Sequence, residues 1–322
     1  MIVTRRILLS GAAAALAATP AFAQGANWPT RPLRIIIPTA PGGSPDIASR
    51  LLGEKISGRI GQQFVVESMT AGGGVPGLQQ VAKSTDGHTF AMLTGGFATQ
   101  AAVLKNLPYD PLKDFTFIAS VVRYPIVYAV RPDSPIKSFK DYIDRAKASP
   151  NKVSNGIAAA GSVYHLLGKW IDNLAGTEIN LVFYRGTALA LQDVLGGRVD
   201  ALTDAATSII PRIRSGQVRA LAVSAAERYP LLPDVPTMAE TIPGIKVESW
   251  LGLAGPAAMP KPIVDRLNSE IRRALDLPEI KKWAADSGVV PAPSTPEEFH
   301  KRVEGDVRQW TEIVVKNNIS VQ

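Results

Sequence analysis

The chain has 322 residues, no cysteine and a formal charge of +7, which excludes a disulfide framework and thiolate chemistry. Its lysines and arginines are scattered, with no arginine-rich tract and no interleaved aromatics, and this argues against a nucleic-acid partner. The length suffices for two α/β lobes, each with its own core.

The first element has the pattern of an export signal. Arg5 and Arg6 precede an apolar run from Ile7 to Ala18 and an Ala21-Phe22-Ala23 cleavage pattern. Residues 1–23 are thus expected to be a signal peptide, with Gln24 as the mature start and the periplasm as destination. The apolar run is too short, and too rich in Ala and Gly, to span a membrane. Thr4–Leu8 also resembles a twin-arginine signal, and both that route and the Sec route stay open. No Cys follows, so lipid anchoring through a modified Cys is excluded. Loss of Arg5 and Arg6 leaves a formal +5, a mild charge compatible with attracting small anions.

Short apolar or β-branched runs follow at Leu33–Pro38, Gln63–Glu67, Thr89–Thr94, Ile126–Arg131, Ile179–Phe183, Val199–Thr203 and Ala220–Ser224. Helical patterns lie between them at Pro45–Ile60, Pro76–Lys83, Phe139–Ala148, Val163–Ala175 and Ala188–Leu195. Strand followed by helix, repeated, predicts parallel sheets covered on both faces. From Pro262 the chain changes to three helices, Pro262–Leu275, Pro278–Ser287 and Pro296–Asn317. No internal sequence repeat is evident. Ser120–Ile126 and the proline-rich Ala225–Trp250 read as crossings between lobes. This division gives a first lobe from 24–122 and 246–322 and a second from 123–245, with the cleft between them as the ligand site. A single large sheet is the alternative.

The strand ending at Ile37 runs into Thr39-Ala-Pro41-Gly42-Gly43-Ser44-Pro45-Asp46. Ser44 is placed to cap a helix starting at Pro45, and the amides of such a junction favour an anion. Gly42 and Gly43 let the backbone approach a carboxylate, although a tight turn alone also accounts for them. Asp46 is expected to hold the loop rather than touch an anion, since like charges repel. Gly161-Ser162 before Val163, and Tyr184-Arg185-Gly186-Thr187 before Ala188, are two more helix starts, with Thr187 read as a cap. Arg185 is either the strong point charge near a carboxylate or a surface arginine. His165 lies one turn into its helix, in the core or at the ligand. Asp204 ends a strand at the carboxyl edge where α/β ligands bind, as an acceptor for a hydroxyl or ammonium or as a turn cap. Gly72-Gly73-Gly74 and Thr94-Gly95-Gly96 are further small-residue loops, and they match neither the dinucleotide fingerprint nor the P-loop.

No Gly-x-Ser-x-Gly elbow occurs, and His88, His165 and His300 lack the spacing of metal ligands. Ser162 and His165 stand three apart at a helix start without an evident carboxylate partner. No catalytic residue, metal or cofactor is therefore assigned, and a cleft hydrolase is the weaker alternative.

Several stretches together resemble the substrate-binding receptors of tripartite tricarboxylate transporters, the Bug family. They are Trp28-Pro-Thr-Arg-Pro32, Pro41–Asp46, Leu107-Pro-Tyr-Asp-Pro-Leu-Lys-Asp-Phe115, Gly161–Leu166, Tyr184–Thr187 and Leu195-Gly-Gly-Arg-Val-Asp200. Leu232-Pro-Asp-Val-Pro-Thr237, Trp250-Leu-Gly-Leu253 and Ser294-Thr-Pro-Glu-Glu-Phe299 continue the series across the chain after the signal. The resemblance implies a two-lobed, type II-like Venus-flytrap fold with a hinge. It also implies a monomer that binds a carboxylate and delivers it to membrane subunits. The implied ligand set is Thr39, Pro41, Gly42, Gly43, Ser44, Asp46, Gly73, Thr94, Gly95, Gly161, Ser162, His165, Tyr184, Arg185, Gly186, Thr187 and Asp204. Thr39, His88, Ala158–Ala160 and Arg185 depart from the usual pattern. Thr39 and Ala158–Ala160 offer fewer polar groups than a citrate-like ligand needs, which favours a dicarboxylate or an aromatic acid. A sensory receptor that presents the same closed form to a signalling partner is the second reading.

Overall fold

The structure, a computed structural model, describes residues 28–158, 161–184, 186–257 and 259–319. The expectations for the signal segment, its cleavage site, Ala159–Ala160 and Arg185 lie outside the described residues.

Two copies of one β/α pattern make the frame. The first runs β1 (Leu33–Ile37), α1 (Ser44–Ile60), β2 (Phe64–Ser68), α2 (Val75–Ala82), β3 (Thr89–Thr94) and α3 (Gly96–Val103). After β4 (Phe115–Val130) and α4 (Phe139–Ala148) comes the second. It runs β5 (Ser154–Ala158), α5 (Val163–Ala175), β6 (Asn180–Tyr184), α6 (Thr187–Leu195), β7 (Ala201–Ala205) and α7 (Ala206–Arg214). In each copy the first strand lies between the other two and pairs with both in parallel. The sequence shows no repeat, yet the topology is duplicated.

The remaining strands are β8 (Arg219–Val223), β9 (Glu248–Pro256) and β10 (Val290–Pro291), with α8 (Lys261–Leu275), α9 (Pro278–Asp286) and α10 (Pro296–Lys316) closing the chain. The expected parallel pairs are joined by antiparallel ones: β9 pairs antiparallel with β3 and β4, and β4 pairs antiparallel with β7 and β8. A chain that leaves one lobe and returns must run its two crossing strands in opposite directions. The strand expected over Ile126–Arg131 is corrected, since β4 is one strand of 16 residues. It joins the halves into a continuous path, β2-β1-β3-β9-β4-β7-β5-β6.

Pro125 marks where β4 changes partners. Its last pair with β9 is Pro125 with Glu248, and its first with β7 is Ile126 with Ala205. A proline lacks the N–H a ladder needs, so it is tolerated where one ladder stops and the next begins. Beside it, Ser224 is fully buried. Its Oγ accepts from the Ile126 N–H at 2.8 Å and donates to the Val247 carbonyl at 2.5 Å. One hydroxyl therefore ties the outward crossing to the return.

Past the crossing, β4 alternates as a strand with both faces covered must. Val127 and Ala129 enter the apolar cluster shared with Leu202 and Ile209, while Ile126, Tyr128 and Val130 enter the one under α4 and α5. The carboxy-terminal helix spans both halves. Phe299 and Val303 pack with Phe117 and Trp250, whereas Trp310 and Ile313 pack with Leu166 and Ile171.

Candidate functional site

A cleft of about 540 Å³ opens where the carboxyl ends of β1, β3, β5 and β7 face one another. This is where open α/β sheets place ligands. Each strand is followed by a helix whose first turn lines the cleft, through Gly43 and Ser44, Gly96, Ser162 and Val163, and Thr207 and Ser208. The exposed N–H groups and dipoles of these helix starts supply partial positive charge. Among the described residues lining the cleft there is no lysine or arginine.

Of the expected ligand residues, Thr39, Gly43, Ser44, Gly73, Thr94, Gly161, Ser162 and Asp204 line the cleft. Pro41, Gly42, Asp46, Gly95, His165, Tyr184, Gly186 and Thr187 are not part of its lining. Asp46 is buried and works as expected of a loop holder. One carboxylate oxygen accepts from the Gly42 N–H at 2.9 Å, and the other meets Arg50 Nε at 2.8 Å. Pro41 and Gly42 form the exposed shoulder of that turn.

Two expected caps are corrected. Helix α1 starts at Ser44 itself, with Gly43 as the cap residue and no side-chain cap bond. The Asp46 carboxylate has taken the loop amide instead. In α6 the cap residue is Gly186, and the Thr187 hydroxyl donates to Asp204. Thr187 is already the first residue of the helix, one position past the cap, so its hydroxyl is free to donate to the buried Asp204 carboxyl.

Gly95 approaches β9 rather than the cleft: its N–H donates to the Trp250 carbonyl at 3.1 Å, and a Cβ there would lie 2.6 Å from Ser249 Oγ. Tyr184 donates to Asp193 at 2.5 Å, away from the cleft. His165 is buried, with its ring edge on Phe183. Its Nδ1 accepts from the Gly161 N–H at 3.1 Å, which removes that amide from the ligand's reach and makes His165 a support for the turn. Burial, and then Lys169, lower its pKa, which favours the neutral ring that an accepting Nδ1 requires. Ser162 caps α5 through the His165 N–H and donates to the Ala158 carbonyl at 2.6 Å. The Ser162 hydroxyl thus meets the backbone of His165.

Asp204 is 4% exposed. Burial raises its carboxyl above the ordinary carboxylate range, against the donors Thr187, the Ala205 N–H and Tyr164. Burial likewise raises the phenols of Tyr124 and Tyr164, which keeps both as O–H donors in the cleft wall. Within the described lining, two buried oxygens have no hydrogen-bond partner: Thr39 Oγ1 and Gln100 Oε1. A buried polar atom without a partner is costly, which marks these two oxygens as unsatisfied acceptors in the cleft wall.

Tyr124, Tyr164, Gln100, Thr207, Ser208 and Ser249 belong to the lining but carried no sequence signal of their own. The start of α7 was the one findable case, since it follows the strand that ends at Asp204. The proline at position 211 masked that helix.

Residues 48–319 match the family described as tripartite tricarboxylate transporter family receptor. Protein BugT of Bordetella pertussis is 31% identical over 318 residues, covering 98% of this chain and 98% of that one. The solved structure of Rhodopseudomonas palustris Rpa4515 with adipate is similar at a TM-score of 0.82 and 31% identity, over 91% of this chain and 99% of that one. MatC of Rhodopseudomonas palustris with bound malate gives 0.77 and 30%, over 89% and 100%. The sequence match and the two-lobed fold thus agree, and the chain belongs to the tripartite tricarboxylate transporter receptors, a family of periplasmic solute-binding proteins.

Proposed function

We propose that this protein captures a small dicarboxylate in the interlobe cleft and hands it, unchanged, to the membrane subunits of a tripartite transporter. The observation that carries the reading is the convergence of four helix starts on a cleft whose described lining has no cationic side chain. Fixed amides recognise a carboxylate without deprotonating anything. Similarity to proteins solved with adipate and with malate supports a dicarboxylate over an aromatic acid. Asp204 and Gln100 Oε1 add acceptors for a hydroxyl or ammonium on the ligand chain. The Ser162 hydroxyl, committed to Ala158, supports binding without catalysis.

The partner exchange at Pro125 and Ile126 supports the division into a first lobe, 24–122 with 246–322, and a second, 123–245. The exported form is a periplasmic monomer starting at Gln24, which amino-terminal sequencing checks. Calorimetry with malate, adipate, benzoate and citrate, followed by mass spectrometry of the recovered ligand, tests the binding. A dicarboxylate should bind and be recovered intact. Preference for citrate or benzoate overturns the ligand class, and steady conversion overturns the receptor reading. Uptake lost on gene deletion separates transport from sensing.

A further inference from the structure

Alongside the crossing strands lies a second cavity, of about 420 Å³, between the middle of α10, the start of β9 and the start of α5. Gly95, Val163 and Ser249 form part of its lining, and Val163 and Ser249 also line the interlobe cleft. The two cavities differ in chemistry. The cleft relies on helix starts, whereas this one carries Lys246, Glu248, Lys301, Arg302 and Asp306.

Both acids are already engaged. Glu248 pairs with Arg123. Asp306 accepts from Trp250 Nε1 at 2.6 Å and lies 3.5 Å from Arg302 Nε. Burial, against Arg302 and Trp250, also raises the Asp306 carboxyl above the ordinary range. Arg302 Nη2 donates to the Glu248 carbonyl at 3.0 Å. Among the described residues, neither Lys246 Nζ nor Lys301 Nζ has an ion pair or hydrogen bond. Neither ammonium is paired within the described protein, so both stay available to an anion in the cavity they line.

The helix also leaves room there. Gly305 is part of this wall, and a Cβ at that position would meet nothing within 4 Å. Glycine inside a helix costs roughly 1 kcal/mol relative to alanine, so its presence is not explained by helix formation.

We propose that this cavity is a second binding site, separate from the carboxylate cleft, for a small, free, doubly charged oxyanion held by Lys246, Lys301 and Arg302. Calorimetry of the full chain with inorganic phosphate as probe tests it. Wild type should show phosphate binding that depends on the two lysines. Lys246→Ala/Lys301→Ala should weaken that binding roughly tenfold or more. Both lysines are exposed, so the double variant is expected to fold. Gly305→Leu, which fills the space from the helix side, should weaken it too. Gly43→Val, in the cleft, should leave it unchanged. Absence of phosphate binding, unchanged affinity in either of the first two variants, or loss in Gly43→Val overturns the site. Because the readout is phosphate, failure to find a carboxylate ligand leaves this result independent.

Discussion

Glycine at position 43 leaves space that glycine at position 74 does not. Gly74 has φ +88° and its missing Cβ would lie 2.3 Å from Pro38 Cβ, so conformation and close approach both demand it. Gly43 has φ −77° and ψ 168°, which any residue adopts, and its nearest neighbour is Ala40 O at 3.4 Å. The fold tolerates a side chain there, and that side chain enters the cleft. Gly43→Val should therefore weaken the cleft acid roughly tenfold or more while the melting temperature stays near wild type. Full affinity in titration calorimetry removes Gly43 from the site. Asp204 gives a second test at this scale. Its folded pKa is raised above the ordinary 3.8 by burial. The stability tied to its proton is present below the ordinary value and lost as pH rises through the folded one. Asp204→Asn lacks that loss, so the variant's melting temperature relative to wild type should climb from pH 3.8 toward neutrality. Parallel pH profiles refute a raised pKa for Asp204. The position of Asp204 was legible as the end of a strand. The phenols beside it were not, because β4 and α5 bring Tyr124 and Tyr164 together from distant parts of the chain.

Elements with strong local signals matched their sequence patterns closely. Helix α5 starts after the Ser162 cap and α4 after Ser138, whose hydroxyl accepts from the Asp141 N–H. Elements built on close approach were silent. Strand β5 reads Ser-Asn-Gly-Ile-Ala, a poor strand by propensity, and exists because β6 and β7 flank it. Strand β9 contains Gly252, whose Cβ would lie 2.2 Å from the Phe299 ring, so the glycine is the seat of an α10 side chain. The crossing itself depends on Ser224. Ser224→Ala leaves the Ile126 N–H and the Val247 carbonyl without that buried partner. Unfolding by denaturant should show a loss of roughly 1–3 kcal/mol, and an unchanged midpoint refutes the tie.

Two halves are joined by β4, the return into β9 and the spanning α10. The cleft lining is shared between the halves: Thr39, Gly43 and Gln100 on one, Ser162, Asp204 and Ser208 on the other. An acid that satisfies both sets binds best when they approach, which is hinge closure. Solution scattering should accordingly show a smaller radius of gyration with saturating adipate than without. Identical profiles with adipate demonstrably bound refute closure.

The sequence by itself determined the alternation of strand and helix, the small-residue loops at the strand ends and the family pattern that runs through them. These are local features, set by periodicity, caps and glycines within a few residues of one another. Only the tertiary structure decided that β4 runs through Pro125, that the sheet is mixed, and that His165 supports the Gly161 turn. It also decided that Thr187 serves Asp204 and that Lys246 and Lys301 share a cavity. Each depends on which groups become neighbours after folding, and a buried hydroxyl, amide or charge takes the best partner that packing brings within reach.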